Sequence, residues 1–120
     1  MSEAEINFEH LRRYIGDDPA LMREVFGLFQ NQVQMWGRML VVDAEDDMWA
    51  SVTHTLKGSA LAVGAEELAK LCQDAESLIG EGNRPGARDV AVQNIEFRIS
   101  KTIAEIQRWE YRDQMKQLKY

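Results

Sequence analysis

The side chains here that could perform chemistry are two histidines, His10 and His54, and a single cysteine, Cys72. The histidines are not spaced four residues apart on one helix, so the usual helical metal-binding motif is missing. One cysteine excludes an internal disulfide and a zinc site built from cysteines. Cys72 lies on an apolar helix stripe, which favours a buried thiol over a reactive one. The histidines therefore carry the remaining candidate chemistry.

His54 lies in the segment VTHTLKGSA, which we predict to be the middle of a helix. With Val52 taken as the core direction and about 100° per residue, His54 falls at about 200°, almost opposite the core. Lys57 and Gly58 lie beside it one turn later. The residues on the buried side are Trp49, Leu56, Ser59 and Val63. An exposed imidazole next to an ammonium group suits covalent capture of a phosphoryl group, whose charge of roughly −2 the cation offsets.

Gly58 needs a separate explanation, because glycine in a helix costs about 1 kcal/mol relative to alanine. Close approach by the backbone of another molecule is one reason for a glycine here. Packing between helices of this chain is another. A histidine beside a lysine is also an ordinary surface arrangement, so the spacing alone leaves a structural interpretation open.

Other motifs for catalysis are absent. The order Lys57-Gly58-Ser59 is not that of a phosphate-binding loop, and none of the serines lies between two glycines as in the nucleophile elbow of hydrolases. The chain has 14 basic and 20 acidic residues, a net charge of −6. Nucleic acid has no electrostatic reason to bind such a chain, and a basic or neutral protein partner suits it better.

The sequence also argues against a membrane protein. The longest apolar stretches, at residues 39–42 and 60–65, fall far short of the ~20 residues that a membrane helix needs. The first ten residues, MSEAEINFEH, are acidic and lack the pattern of a secretory signal. We therefore expect no membrane association and a cytoplasmic location.

Apolar residues recur at spacings of three and four, without alternation of period two, which predicts an all-α chain. A short first helix around Phe8, Leu11 and Ile15 should end at Gly16. Asp18 and Pro19 should start a second helix that runs to about Val42. Its predicted apolar stripe comprises Leu21, Met22, Val25, Leu28, Phe29, Val33, Trp36, Met39 and Leu40.

The third helix should begin near Ala44 or Glu45 and end at Gly64, and the fourth should cover residues 65–79. The last should start near Pro85. Its apolar stripe comprises Val92, Ile95, Ile99, Ile103 and Ile106. We expect an antiparallel four-helix bundle with a short extra N-terminal helix, forming one domain over residues 1–120 with a core of about residues 8–109.

Residues 110–120 allow two interpretations. Beyond Trp109 the stripe of the last helix reaches only polar residues, so the bundle seam cannot simply continue. Tyr111, Met115 and Leu118 form a displaced apolar line instead. Either this line packs on the first helix through Ile6 or Phe8, or the segment is a frayed tail.

The segment HTLKGSA, followed by VGAEELAKLCQDAE, resembles the signature of histidine-containing phosphotransfer (HPt) domains. That signature has a histidine, then leucine, lysine and glycine, a small residue, and a second glycine before the next helix. The resemblance extends upstream through GDDPALMREVFGLF and covers about residues 8–106. It implies a four-helix bundle in which His54 is the phosphorylated nucleophile, Lys57 stabilises the phosphoryl group and Gly58 leaves room for a receiver domain.

Three further residues complete the candidate site. By the same resemblance, Glu76 occupies the place of a polar residue on the following helix that supports the histidine, although an ionised glutamate can only accept a hydrogen bond. Leu61, at about 180° from the core direction, is an exposed apolar contact for a docking partner or an incidental surface leucine. Ser51 is the remaining candidate binding residue.

We therefore predict a monomeric phosphotransfer intermediate of a two-component phosphorelay. It is not a kinase, because no ATP-binding segment accompanies the histidine. The resemblance implies response-regulator receiver domains as partners, that of a hybrid histidine kinase among them. No cofactor is expected, since the magnesium should belong to the receiver. Two alternatives remain: an adaptor or inhibitor that occupies a receiver without chemistry, and a structural module that assembles through Tyr111, Met115 and Leu118.

Overall fold

The computed structural model describes residues 4–118, and this part of the chain contains α-helices and no strand. The helices are α1 (Phe8–Ile15), α2 (Pro19–Gly37), α3 (Asp46–Ala62), α4 (Glu66–Glu76) and α5 (Ala87–Gln117), with a 3-10 turn at Gly80–Gly82. This confirms the predicted all-α fold, in which a short helix precedes four longer ones. Within residues 4–118, no helix combines the length and the apolarity that crossing a bilayer requires.

The four longer helices surround one apolar core. α3 packs against α2 and α4, and α5 packs against the same two helices. α3 and α5 therefore occupy opposite corners of the bundle. Trp49, Phe26 and Leu56 are among the largest fully buried side chains. α1 adds Phe8, whose ring meets the edge of Phe26 at 6.1 Å between centroids.

The start of α2 follows the predicted capping pattern. Gly16 ends α1 with φ of 73°, a left-handed conformation that glycine adopts without steric cost. Asp18 Oδ1 then accepts hydrogen bonds from the backbone N–H groups of Ala20 and Leu21, at 3.0 and 3.3 Å, and Pro19 takes the first helical position.

The predicted end of α2 near Val42 was wrong, because the helix stops at Gly37. After Gly37 the chain tightens into turns, in which Met39 N–H donates to the Trp36 carbonyl and Leu40 N–H to the Gly37 carbonyl. Leu40 is nevertheless buried. The turn after α2 places Leu40 in the core. The apolar pattern of the sequence therefore continues past the last residue of this helix.

Arg88, which the sequence analysis missed, ties the loops at this end of the bundle. It is only 3% exposed, and its guanidinium donates to the carbonyls of Leu78, Val42 and Ala44 at 2.8 to 3.1 Å. It also binds Asp46 Oδ1 at 2.8 Å and lies 4.5 Å from the centroid of a Trp49 ring. α4 ends at Glu76 and not at the predicted residue 79. Beyond this end, the Leu78 carbonyl accepts its hydrogen bond from Arg88.

Hydrogen bonds, and an ion pair between Glu5 and Arg98, hold the segment before α1 against the bundle. The carboxylate of Glu105 on α5 accepts from the N–H groups of Glu5 and Ile6, at 2.8 and 3.2 Å. Asn7 N–H donates to the Gly64 carbonyl at 2.9 Å. Gly64 has φ of 74°, and a Cβ there would lie 3.0 Å from the Asn7 carbonyl oxygen. Only glycine fits this turn between α3 and α4.

The structure corrects the expected packing of the apolar line beyond Trp109. α5 continues as helix to Gln117, and Tyr111, Met115 and Leu118 are all exposed rather than packed on α1. The polar residue Asp113 faces inward instead, with its side chain 11% exposed, and pairs with Arg23 of α2. An ion pair thus continues the contact between α2 and α5 where the apolar seam ends.

Candidate functional site

The outward face of α3 presents the candidate residues as helical periodicity predicted. The side chain of His54 is 72% exposed, and Gly58 and Leu61 are also exposed. Lys57 is half-buried beside them. The opposite face is buried through Trp49, Val52, Leu56 and Val63. The imidazole therefore meets solvent on a helix that the core holds in place.

α4 brings Glu76 to the imidazole. Glu76 Oε2 lies 3.6 Å from His54 Nδ1, slightly longer than a hydrogen bond. The indole N–H of Trp49 donates to the Ala75 carbonyl at 2.7 Å, which ties α3 to the α4 residue next to Glu76. A small movement of the glutamate side chain would let it accept a hydrogen bond from Nδ1–H. No hydrogen bond within residues 4–118 engages Nε2 of His54.

Lys57 lies one turn after His54 on the same helix. Among the described residues, its ammonium group makes neither a hydrogen bond nor an ion pair. Without a partner among the described residues, this cation is available to an anion bound at the imidazole. Residues three apart on a helix are surface neighbours, so Lys57 and His54 lie on the same part of the α3 surface.

Gly58 faces open space. Within residues 4–118, a Cβ added at Gly58 would meet no atom within 4 Å beyond the backbone of its own helix. Packing inside this chain therefore does not require glycine here, which removes one of the two explanations that the sequence allowed. Next to Gly58, a groove of about 270 Å³ separates α2 from α3. Its lining comprises Val25, Leu28, Phe29, Gln32, Gly58, Ser59, Ala62 and Val63.

An exposed apolar side chain, Leu28 of α2, lines this groove. Leu28 is 62% exposed, and Leu61 on the outward face of α3 is 50% exposed. The assignment of Leu28 to the buried stripe of α2 was wrong, as it was for Leu21 and Met39. Leu28 lies in the groove beside α3 and not in the core, which its place in the apolar pattern did not indicate. Ser51 is exposed one turn before His54.

The remaining candidate groups, Cys72 and His10, are packed against other side chains of the protein. Cys72 is fully buried, and this burial raises the pKa of its thiol from 9.0 to about 12 because it disfavours the thiolate. The ring of His10 packs against that of Tyr14 on α1, with centroids 4.9 Å apart. Across residues 4–118, no group of three or more histidine, cysteine and acidic side chains is arranged to hold a metal ion.

Comparison with known proteins identifies this arrangement. The fold and the site define a class of proteins. Its members are helical bundles that display a histidine, a lysine and a glycine on one outward helix face. The family model described as Hpt domain matches residues 38–119, which include α3, α4 and α5. The chain therefore belongs to the Hpt domain family and is a phosphotransfer protein of the two-component phosphorelay type.

A solved structure supports the fold. The chain is similar to the crystal structure of the histidine phosphotransferase ShpA from Caulobacter crescentus, with a TM-score of 0.77 and 24% sequence identity. The similarity covers 97% of this chain and 100% of that chain. A comparison with curated proteins found no match. Hpt domains interact with receiver domains of response regulators.

Proposed function

We propose that His54 carries the phosphoryl group and shuttles it between aspartates of response-regulator receiver domains. The observation that carries this proposal is the exposed imidazole on α3, with Glu76 on one side and Lys57 one turn away, whose ammonium group has no partner in residues 4–118. The ring of His10 packs instead on Tyr14, and the cation one turn after it, Arg13, is paired with Glu9.

The transfer balances without a further reactant. Nε2 of the neutral imidazole attacks the phosphorus of the receiver's aspartyl phosphate, so that an N–P bond forms as the P–O bond to the aspartate breaks. The aspartate leaves as a carboxylate. The ring keeps its proton on Nδ1 and gains positive charge, which the nearby Glu76 carboxylate stabilises. The reverse reaction passes the phosphoryl group to the next receiver.

Lys57 acts on the group in transfer. The phosphoryl oxygens carry negative charge throughout the reaction, and a positioned cation stabilises it. Its ammonium group is uncommitted among the described residues, so no ion pair has to break before it binds phosphate. We assign the magnesium of the reaction to the receiver, because the described residues offer no carboxylate cluster next to His54.

The receiver docks on the α2–α3 side of the imidazole in this proposal. Gly58 leaves space for a foreign backbone, and the groove beside it accepts apolar side chains of the partner. Leu28 and Leu61 supply exposed apolar contacts around the site. Ser51 lies one turn before His54, at the edge of the same surface. We further propose that the protein acts as a monomer and requires neither nucleic acid nor a membrane.

The decisive experiment mixes the protein with a receiver domain that has been phosphorylated with radioactive phosphate. We expect an acid-labile, base-stable label on the wild-type chain and none on His54→Gln. His10→Gln is the matched control and should be labelled like the wild type. A label that persists in His54→Gln would reject the site.

The same variants separate transfer from an adaptor role. If the chain only occupied a receiver, His54→Gln would bind the receiver normally and the wild type would take up no phosphate. Under our proposal the wild type takes up phosphate and returns it to a second, unphosphorylated receiver. Binding measured alongside labelling therefore distinguishes the two functions.

A further inference from the structure

α5 carries a second apolar line that faces solvent. With Ile95 taken as the inward direction and about 100° per residue, this line lies within about 40° of the direction opposite the core. Its members are seven residues apart: Val90, Phe97, Ala104, Tyr111 and Leu118, which we call the outer stripe. The four large side chains are 55% to 73% exposed. At 1.5 Å per residue the outer stripe is about 42 Å long.

The regular spacing distinguishes the outer stripe from scattered surface residues. Single exposed apolar side chains are ordinary, and the outward face of a bundle helix is normally polar. Apolar residues repeated every seven positions form a continuous stripe, which can pack along a partner helix with the same repeat. The outer stripe therefore has the form of a helix-binding surface.

The charges along the outer stripe are positive. Lys101 lies beside Phe97, with Nζ 5.2 Å from the ring centroid. The side chain of Arg108 is 61% exposed, with Nη2 3.9 Å from Oε2 of Glu105. Between residues 97 and 118, helical geometry places no acidic residue within about 60° of this line. Two of the three acids in that range, Glu105 and Asp113, are turned into contacts with the segment before α1 and with α2. A chain of net charge −6 thus presents a locally basic apolar face.

We propose that the outer stripe is the docking face for an acidic amphipathic helix of another protein. Apolar side chains at heptad spacing on that helix would cover Phe97 and Tyr111, and its carboxylates would pair with Lys101 and Arg108. A second copy of this chain fits less well. Two outer stripes placed face to face would bring like charges together, and Glu105, the acid 3.9 Å from Arg108, is already engaged with the segment before α1.

This surface is separate from the proposed phosphotransfer site. α5 lies at the corner of the bundle opposite α3, so a helix on the outer stripe leaves the face around His54 free. Both partners can bind at once. The docked helix would hold the phosphotransfer protein near another protein without blocking its exchange with receivers.

The test uses the full chain, labelled with ¹⁵N, and a synthetic amphipathic peptide of about 25 residues with leucine at positions a and d and glutamate at e and g. We expect amide shifts centred on residues 97–118, and binding that weakens as sodium chloride rises from about 0.1 to 0.5 M. Lys101→Glu combined with Arg108→Glu should weaken binding about tenfold or more. Arg38→Glu with Lys70→Glu, the same charge change elsewhere, should leave the affinity within about twofold of the wild type.

Apolar variants complete the design. Phe97→Ser with Tyr111→Ser should abolish the shifts, whereas Tyr14→Ser, which removes a ring that is even more exposed, should not. Circular dichroism confirms that each variant is folded. The same peptide with lysine at e and g should not bind.

Several results would overturn the proposal. These are no binding of the acidic peptide, equal binding of the acidic and basic peptides, or shifts that map to another face. Binding of anionic phosphatidylserine vesicles in place of the peptide would assign the surface to a membrane. A dimer in sedimentation that Phe97→Ser with Tyr111→Ser dissociates would assign it to a second copy. None of these results bears on labelling of His54.

Discussion

Under the proposed function, the chemistry of this protein depends on which nitrogen of the His54 imidazole keeps its proton. A hydrogen-bond acceptor near one ring nitrogen selects the tautomer, and Glu76 Oε2 is 3.6 Å from Nδ1 of His54. This contact leaves Nε2 as the nucleophile under the proposed function. Glu76 is a positioning residue in this scheme, since it touches the ring and not the phosphoryl group.

Replacing Glu76 should therefore change both the rate and the tautomer. We expect Glu76→Ala to slow phosphoryl uptake about tenfold, equivalent to about 1.4 kcal/mol, because the ring loses its acceptor. Glu76→Gln keeps an acceptor oxygen and should be less affected. The ¹⁵N shifts of the imidazole should show Nδ1–H in the wild type and a mixture of tautomers in Glu76→Ala.

Glu67→Ala provides the matched control for this prediction, since it removes an exposed carboxylate from the first turn of the same helix. It should leave the rate and the tautomer unchanged. An unchanged tautomer in Glu76→Ala would show that Glu76 does not position the ring.

At the scale of the element, α3 combines a rigid inner face with an outer face that is open at one position. The inner face is held by Trp49, whose indole bonds to α4 and lies beneath the guanidinium of Arg88. The outer face contains Gly58, where no neighbour in the chain limits the side chain. Stability and the proposed phosphotransfer therefore require different residues at this position of α3.

Gly58→Ala separates these demands. Alanine should stabilise α3 by about 1 kcal/mol, because it has the higher helix propensity and meets no atom within 4 Å. The added methyl group should slow phosphotransfer from the receiver, since it occupies the space we assign to the receiver's backbone. Urea unfolding and the rate of labelling measure the two effects.

Gly27→Ala is the control, because Gly27 is also helical, also has open space at Cβ and does not line the groove. It should raise stability similarly and leave the transfer rate unchanged. Wild-type transfer by Gly58→Ala would contradict the proposed approach of the receiver at this position.

Arg88 controls the loops that join the helices at one end. Arg88→Ala should lower the free energy of unfolding by about 3 kcal/mol or more, since it leaves three carbonyls without their donor and removes the partner of Asp46. Arg88→Lys should recover only part of this loss, because an ammonium group cannot reproduce the planar fork.

Arg112→Ala, on the exposed side of α5, is the matched control for Arg88 and should change stability by less than about 0.5 kcal/mol. The comparison is made by urea unfolding of both variants. A loss for Arg88→Ala as small as that for Arg112→Ala would show that the loops do not depend on this side chain.

Helical periodicity predicted the two faces of α3 because one angular rule relates every residue of a helix to its core direction. The ends of α2 and α4 could not be predicted in the same way. These ends depend on contacts with other elements: Leu40 packs in the core, and the Leu78 carbonyl accepts a hydrogen bond from Arg88. The approach of Glu76 to His54 depends likewise on how α4 lies against α3, which the resemblance indicated and the spacing alone could not. Arg88 did leave a signal, because it lies seven residues before Ile95 on the core stripe of α5.

For the molecule as a whole, the buried core includes one group that titrates at high pH. Burial raises the pKa of Cys72 to about 12, whereas the unfolded chain releases this proton near 9.0. Between these values the unfolded state binds fewer protons, so stability falls as pH rises, by at most about 1.4 kcal/mol per pH unit. Below pH 9 this group contributes no pH dependence.

The stability of the wild type should accordingly fall more steeply between about pH 9 and 11 than that of Cys72→Ala, as measured by urea unfolding at several pH values. The native thiol should also react slowly with a disulfide reagent at pH 8 and rapidly in urea. Parallel stability profiles for the two proteins would contradict the prediction.

The open position on α3 also bears on laboratory evolution of this protein. A selection that rewards only survival at high temperature would favour alanine in place of Gly58, since nothing inside the chain opposes it. Under the proposed function, the most heat-resistant descendants would then be well folded but slow in phosphotransfer. A library intended to improve this protein should keep that codon constant.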